Sequence, residues 1–267
     1  MNQFGDLTPQ EFANKYLKLK PIPNLKSAKM MLDLSGEPPV SEDEHDSLDW
    51  RELGAVNPPR SQGQCGSCWA FSAAGAIEGA WQIATGELID VSEQQLVDCS
   101  RRWGNAGCDG GFMDNAYDYA IRVGGLCSEE DYPYEAKQKK CKNVKCKAAA
   151  KLAGYKYVPR GNETALKIAV RKAPVATGIS AGNMHFQFYS SGILDGECGS
   201  SLDHGVSIVG YGSERNETDG SMIPYWIIKN SWGTEWGEGG YMRVVRGKNL
   251  CRVADAATLV TVKKPQN

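Results

Sequence analysis

Between Gln62 and Trp69 the chain reads Gln-Gly-Gln-Cys-Gly-Ser-Cys-Trp, and its second cysteine, Cys68, stands just ahead of a run rich in small residues, Ala70 to Trp81. That run predicts a helix beginning at Cys68. A helix N-terminus carries unpaired N–H groups and about half a positive charge, so a thiol placed there has its thiolate favoured and becomes a candidate nucleophile.

A thiolate needs a base and a group to orient that base. The chain has three histidines. His45 lies in the acidic stretch Glu42 to Asp46 and reads as part of a solvated linker. His185, in Met184 to Tyr189, reads as an ordinary packed or surface histidine. His204 is different: it opens a β-branched run, Leu202 to Gly212, which places an imidazole at a strand start with Gly205 beside it. A second apolar run, Tyr225 to Gly233, delivers Asn230 next to Trp232. An amide there can fix the ring's tautomer while the indole keeps water off the hydrogen bond.

These segments resemble the papain family of cysteine proteases, most closely its cathepsin L-like branch, from about Asn2 to the C-terminus. The resemblance implies that Cys68 attacks a peptide carbonyl, that His204 is its proton partner in a thiolate–imidazolium pair, and that Asn230 orients the ring. It implies an oxyanion hole formed by the Gln62 amide and the Cys68 N–H. Trp232 would shield the Asn–His bond. Gly66, Gly110 and Gly111 would lie along the substrate backbone, although turn geometry alone also explains such glycines. For the pocket that takes the second residue upstream of the cut, the resemblance implies walls of Phe112, Met113, Gly178, Leu202 and Gly205, a base at Ala256, and Asp203 nearby. An apolar pocket of this kind accepts Leu, Phe or Val and disfavours a charge. Asp255 would alter that only if it turned inward, which alternation along the chain disfavours. The double-histidine insertion of cathepsin B has no counterpart after Cys108, which favours an endopeptidase over an exopeptidase. Two departures from the family pattern stand out: Asp109 where Asn is frequent, and Arg252-Val253 in place of the usual Gly-Ile. Asn230 is also further from Cys68 than is usual, which a loop from Ser213 to Ile223, longer than in papain, would explain.

Nine cysteines are an odd number. The oddness disappears if Cys68 stays free and the other eight form bridges. The resemblance implies Cys65–Cys108, Cys99–Cys141 and Cys198–Cys251. Cys127 and Cys146 are left to pair, two free thiols being the alternative. Zinc is a weaker reading because no histidine lies near the cysteine cluster, so neither metal nor cofactor is expected. A dithiol redox role for Cys65 and Cys68 lacks the βαβ context it needs.

Residues 1–46 differ from the rest. Thr8-Pro9-Gln10-Glu11 is a capping box with proline at the first helical position, starting a short helix through about Leu19. Prolines then interrupt regular structure. Asn2, Phe4 and Asp6 match a motif of cathepsin prosegments, but the motif's opening glycine, the long helix before it and a signal peptide are missing. The expectation is a truncated inhibitory prosegment, cleaved near Glu44 to Leu48. From Leu48 onward helices come first: one at Cys68, one after a second capping box at Ser92 to Gln95, one over Phe112 to Val123 and one from the Asn162 cap to about Lys172. Strands follow at 175–180, 206–211, 225–229, 241–246 and 257–262. Helices followed by strands predict an α+β fold. The resemblance makes this a two-lobed papain-like fold: a helical left lobe (47–150) carrying Cys68, a β-barrel-like right lobe (151–267) carrying His204 and Asn230, and the active site in the cleft between them.

With 267 residues, 41% hydrophobic content and a formal charge of −2, a globular protein is expected and nucleic acid is not. The basic run Lys137 to Lys147 reads as a solvated loop, with a patch for polyanions as the alternative. No stretch has the length of a membrane span. Asn162-Glu163-Thr164 and Asn216-Glu217-Thr218 are glycosylation motifs and fit a secretory route to a lysosomal or other acidic compartment, or to the exterior. Protein and peptide substrates, the chain's own prosegment and cystatin-type inhibitors are the expected partners of a monomer. The competing class is a catalytically silent homologue that binds without cutting; such proteins usually lack the nucleophile or base, and both are present here.

Overall fold

The structure is a computed structural model and describes residues 2–20, 30–38, 40, 46–142 and 146–264. His45 and the centre of the basic run, 143–145, lie outside the described residues. The first helix, α1 (Pro9–Tyr16), carries both halves of its capping box: Thr8 Oγ1 accepts the Glu11 N–H at 3.3 Å, and the Glu11 carboxylate accepts the Thr8 N–H at 2.9 Å. It ends at Tyr16, short of the expected Leu19. The N–H groups of Leu19 and Lys20 go instead to the carbonyls of Asp203 and Gly111, at 2.9 and 3.0 Å, so this stretch runs extended across the rest of the protein.

Helix α2 (Cys68–Thr85) begins at the nucleophile candidate and stops at Gly86, whose φ of 81° suits a residue without Cβ. Helix α3 (Glu93–Cys99) takes a cap from Ser92 to the Gln95 N–H at 2.9 Å. The reciprocal half of the expected box is absent, because the Gln95 side chain is drawn to the Cys127 N–H and the Tyr119 hydroxyl. Helices α4 (Met113–Val123) and α5 (Glu163–Lys172) follow, the latter capped by Asn162 onto the Ala165 N–H. A short α6 (Met184–Gln187), holding the exposed His185, has no counterpart in the sequence-based reading.

The strands are β1 (Leu48–Asp49), β2 (Leu152–Tyr157), β3 (Val175–Ile179), β4 (Ile193–Leu194), β5 (His204–Arg215), β6 (Met222–Lys229), β7 (Tyr241–Val245) and β8 (Thr258–Val262). They form one sheet in the order β2-β8-β3-β5-β6-β7-β4, antiparallel except for β4 on β7, with β1 on β5. The expected loop from Ser213 to Ile223 is partly strand: β5 and β6 pair out to Arg215 and Met222, leaving Asn216 to Ser221 as the turn. Strand β2 was not anticipated, since Gly154 interrupts its apolar alternation. Four disulfides join Cys65 to Cys108, Cys99 to Cys141, Cys127 to Cys146 and Cys198 to Cys251; Cys68 is free.

Two cores result. One gathers α2, α3 and α4 around Trp69, Ile77, Leu96 and Tyr117; the other gathers α5 and the sheet around Trp226, Trp232 and Trp236. They meet where α2 lies on β5. The Ser72 hydroxyl donates to the Val206 carbonyl at 2.6 Å, and the Ser207 hydroxyl donates to the Ser72 carbonyl at 3.2 Å. A Cβ at Gly75 would sit 2.9 Å from Ser207 Oγ, so glycine there permits the close approach.

Asp46, just before β1, ties the incoming chain to the second core. Its carboxylate meets Lys167 Nζ at 2.9 Å and accepts from the Tyr211 hydroxyl at 3.2 Å, while Lys167 is 3% exposed. Burial raises the Asp46 pKa, but Lys167, Tyr211 and Arg171 outweigh it and leave it below the usual carboxylate value. A lowered pKa contributes stability that is present above the unfolded-state value and lost as pH falls through the folded one. Asp46→Asn is therefore expected to destabilise the chain by about 2–3 kcal/mol at pH 7, because a buried lysine loses one charged partner. The difference should shrink below about pH 4. Urea denaturation of both chains at pH 7 and at low pH measures it, and a gap that stays constant with pH would rule out the charge pairing as its cause.

Candidate active site

The thiol, the imidazole and two amides converge where α2 meets β5. Cys68 and His204 are fully buried, Gln62 likewise, and Asn230 is 3% exposed. Gly205 brings the strand against the helix: a Cβ there would be 3.2 Å from the Cys68 carbonyl carbon and oxygen and from Trp69 Cα. Asn230 Oδ1 accepts the Ser231 N–H at 2.8 Å, which fixes the amide oxygen as an acceptor. His204 Nε2, 2.7 Å from the same oxygen, must then be the protonated ring nitrogen, so the lone pair lies on Nδ1. Nδ1 is buried with no hydrogen-bond partner. The Trp232 ring stacks on the imidazole with centroids 4.5 Å apart.

Gln62 is held from both ends. Its N–H donates to the Ser231 carbonyl at 2.8 Å, and its side-chain Oε1 accepts from the Ser231 hydroxyl at 2.7 Å. Nε2 is thereby turned toward the Cys65 carbonyl, at 2.9 Å, and the Tyr16 carbonyl, at 3.3 Å. Tyr134 adds a hydroxyl that donates to the Gln62 carbonyl at 2.8 Å and lies 2.6 Å from the Ser67 hydroxyl. Sequence reasoning missed Ser231 and Tyr134. Ser231 was signalled only by lying between Asn230 and Trp232; nothing near Tyr134 marked it.

The chain's own segment Tyr16–Lys20 fills the cleft. Besides placing the Tyr16 carbonyl on Gln62, it bridges Gly111 in parallel through Leu19, and the Gly111 N–H donates to the Lys18 carbonyl at 3.3 Å. Gly66 and Gly110 both face Lys18 so closely that a Cβ on either would collide with it. The Leu19 side chain enters an apolar pocket: a Cβ on Gly178 would be 2.6 Å from Leu19 Cδ2, 3.4 Å from Ala256 Cβ and 3.9 Å from Leu202 Cδ1. Phe112 and Met113 are buried in the same core as Leu19 and Ala256. Asp203 turns one carboxylate oxygen to the Ala181 N–H at 2.8 Å, and burial raises its pKa to about 6. Upstream, Phe4 and Phe12 pack edge-on against Trp232 at 5.2 and 5.1 Å, and Gln187 Nε2 donates to the Phe4 and Leu7 carbonyls.

Burial of the site works against the expected protonation. The helix N-terminus led to an expectation of a favoured thiolate. Instead, burial raises the Cys68 pKa to about 11, against smaller lowering effects from the Gly205, Lys18 and Trp69 N–H groups. Burial likewise lowers His204 to about 4 despite its bond to Asn230. With Tyr16–Lys20 in place, thiol and imidazole are both neutral near pH 7.

A family model described as papain family cysteine protease matches residues 45–261. The chain belongs to that family. It is 44% identical over 266 residues to the oryzain beta chain of Oryza sativa subsp. japonica, covering 98% of this chain and 55% of that protein, so it spans about half the relative's length. Among solved structures it resembles the proform of the ragweed pollen allergen Amb a 11, a cysteine protease. The TM-score is 0.86 at 42% identity, and the match covers 99% of this chain and 81% of the other. It also resembles digestive procathepsin L 3 of Tenebrio molitor larval midgut, with a TM-score of 0.84 at 42% identity, covering 98% and 81%. Among the described residues no cluster of His, Cys, Asp or Glu is arranged to hold a metal ion, and no helix is long and apolar enough to cross a membrane.

Alkylation of Cys68 by iodoacetamide at pH 7 is expected to be at least about tenfold slower in the 267-residue chain than in one beginning near Leu48, and to rise as pH approaches the raised thiol pKa. Equal rates in the two chains would mean that Tyr16–Lys20 does not govern the thiol.

Proposed function

We propose that this chain is the precursor of a cysteine endopeptidase whose Cys68, His204, Asn230 and Gln62 carry out peptide hydrolysis. The observation that carries the reading is the 2.7 Å His204–Asn230 bond, which leaves the buried Nδ1 as the free basic nitrogen on a strand packed against the helix that begins at the free Cys68. Removal of Tyr16–Lys20 admits water and lets the dyad exist as thiolate and imidazolium. The thiolate attacks the carbonyl carbon, and the oxyanion is met by Gln62 Nε2 and the Cys68 N–H. The occupation of Nε2 by the Tyr16 carbonyl supports that role. His204 protonates the leaving amine as the C–N bond breaks, then takes a proton from the water that cleaves the thioester and regenerates the thiol.

Residues 1–46 act as the prosegment, and 47–150 and 151–267 as the two lobes. Leu19 in its pocket supports a preference for Leu or Phe at the second position upstream of the cut, over Arg by at least about tenfold in kcat/KM. Glycosylation at Asn162 and Asn216, passage to an acidic compartment or the exterior, protein substrates, a monomeric state and control by cystatin-type inhibitors belong to the same reading.

The deciding experiment treats trimmed enzyme with an epoxysuccinyl thiol trap and maps the adduct. Label on Cys68 with loss of peptidase activity is expected; a trimmed chain that neither cuts peptides nor takes label would be a silent homologue. The rate of the active enzyme should be bell-shaped in pH, since acid removes the thiolate and alkali the imidazolium, and a rate that keeps rising into strong alkali would contradict the pair. Ser231→Ala should cost about tenfold in kcat with little change in KM. That is less than the ~10²–10³ of deleting an oxyanion donor, because Gln62 is loosened and not lost. An unchanged kcat would show that Gln62 is held without Ser231.

A further inference from the structure

The turn before β8 holds three non-glycine residues in left-handed backbone: Asn249 at φ 46°, Cys251 at 52° and Arg252 at 61°. A side chain with a Cβ resists that conformation, and glycine at 252 would adopt it without strain. Such strain persists where surrounding contacts impose it, and it repays inspection for a functional reason. At Arg252 the backbone N–H donates to the Asn249 carbonyl at 3.0 Å and the carbonyl accepts the Asp255 N–H at 2.9 Å, and the guanidinium adds contacts of its own. Nη1 donates to the Ser200 carbonyl, and Nε and Nη2 both meet Asp255 Oδ2 at 2.8 Å. Asp255 also accepts from Asn249 Nδ2 at 2.8 Å, and Asn249 Oδ1 in turn takes the Ala254 N–H at 2.9 Å.

These contacts join residues that neighbour, along the chain, the pocket that Leu19 occupies. Ser200 is two residues from Leu202 in its wall, and Asp255 directly precedes Ala256 at its base. The Asp255 side chain is 10% exposed, so its charge is poorly screened by water. The second basic partner, Arg160, is 3.5 Å away and 65% exposed, and offsets that charge weakly. We propose that Arg252 is a specificity-determining positioning residue. It neutralises Asp255 beside the pocket base and ties it outward, which keeps the pocket selective for uncharged over cationic side chains. The proposal rests on reading the Leu19 pocket as the site for the second residue upstream of the cut. Without Arg252, the Asp255 carboxylate would stand largely uncompensated next to that site, and its field would favour a cation there without the carboxylate having to enter the pocket.

The test compares trimmed wild-type enzyme with R252G, R252Q and R252G/D255N, on matched peptides with Leu, Arg or citrulline at that position. Active enzyme is counted in each case by titration with the epoxysuccinyl trap. Citrulline has nearly the shape of arginine without its charge. Expected is a rise of about fivefold or more in the Arg-to-Leu ratio of kcat/KM in R252G, the scale of one poorly screened charge. The citrulline-to-Leu ratio should stay within about twofold, and the double variant should return the Arg-to-Leu ratio close to wild type. R252Q should show a rise in the same direction, and serves if R252G folds poorly. An unchanged Arg-to-Leu ratio in both single variants would overturn the proposal. So would a rise shared by citrulline, which indicates an opened void, or one that survives D255N. The wild-type Arg-to-Leu ratio judges the pocket assignment separately, since comparable wild-type rates would sink that assignment whatever Arg252 does.

Discussion

Everything chemical in this chain depends on how closely the first turns of α2 can lie on the start of β5. The helix supplies Cys68 and the strand supplies His204, and neither element alone sets the distance between them. Gly75 and Gly205 remove the side chains that would hold the two apart, while the paired hydroxyls of Ser72 and Ser207 stitch helix to strand across the gap. Such hydrogen bonds contribute only about 1 kcal/mol each. Their value lies in direction: they set the register of helix on strand, and so how the Cys68 and His204 backbones lie relative to each other.

Burial then acts on the site in two opposed ways. It strengthens the His204–Asn230 bond by excluding water, with Trp232 stacked on the ring. It also penalises charge, and with Tyr16–Lys20 across the cleft the penalty wins at both Cys68 and His204. One segment thus lies against Gly66, Gly110 and Gly111, occupies the Gln62 donor and adds to the burial of Cys68. The grip on that segment and on the residues before it is mostly apolar and backbone in kind: Leu19 in its pocket, Phe4 and Phe12 on Trp232, and carbonyl and N–H groups paired with Gly111 and Asp203.

The sequence made the chemistry legible where residue type and local setting coincide. Cys68 before a small-residue helix, His204 at the head of a β-branched run and Asn230 beside Trp232 each announce themselves within ten residues or so. The α+β order was legible for the same reason. What escaped depends on distant partners. Leu17 to Leu19 continues the pattern of α1, and partners far along the chain, the Gly111 and Asp203 carbonyls among them, pull it straight. Ser231 is an unremarkable serine until Gln62 lies against it. The direction of the Cys68 shift escaped because a helix N-terminus is a local property and burial is not. The β5–β6 hairpin was cut short because Gly212 to Arg215 is too polar to read as strand, yet cross-strand pairing continues through it.

The arrangement of charge around Gln62 follows from the same constraint. Among the described residues the Gln62 amide meets two carbonyls and a hydroxyl, and no ionic contacts. Those contacts are found two residues upstream instead. Arg60 meets Asp90 at 3.0 Å and Glu129 at 3.1 Å and also pairs with Glu93, all from the helical side. Burial raises the Glu93 pKa, although the Arg60 charge opposes that shift. On the other side of the same short segment, the Arg60 carbonyl accepts the Gly233 N–H at 3.2 Å, and Ser61 bridges Trp232. Residues 60–62 are therefore pinned by charge to one core and by backbone to the other. Gln62 inherits a fixed position from both without any charge entering the cleft.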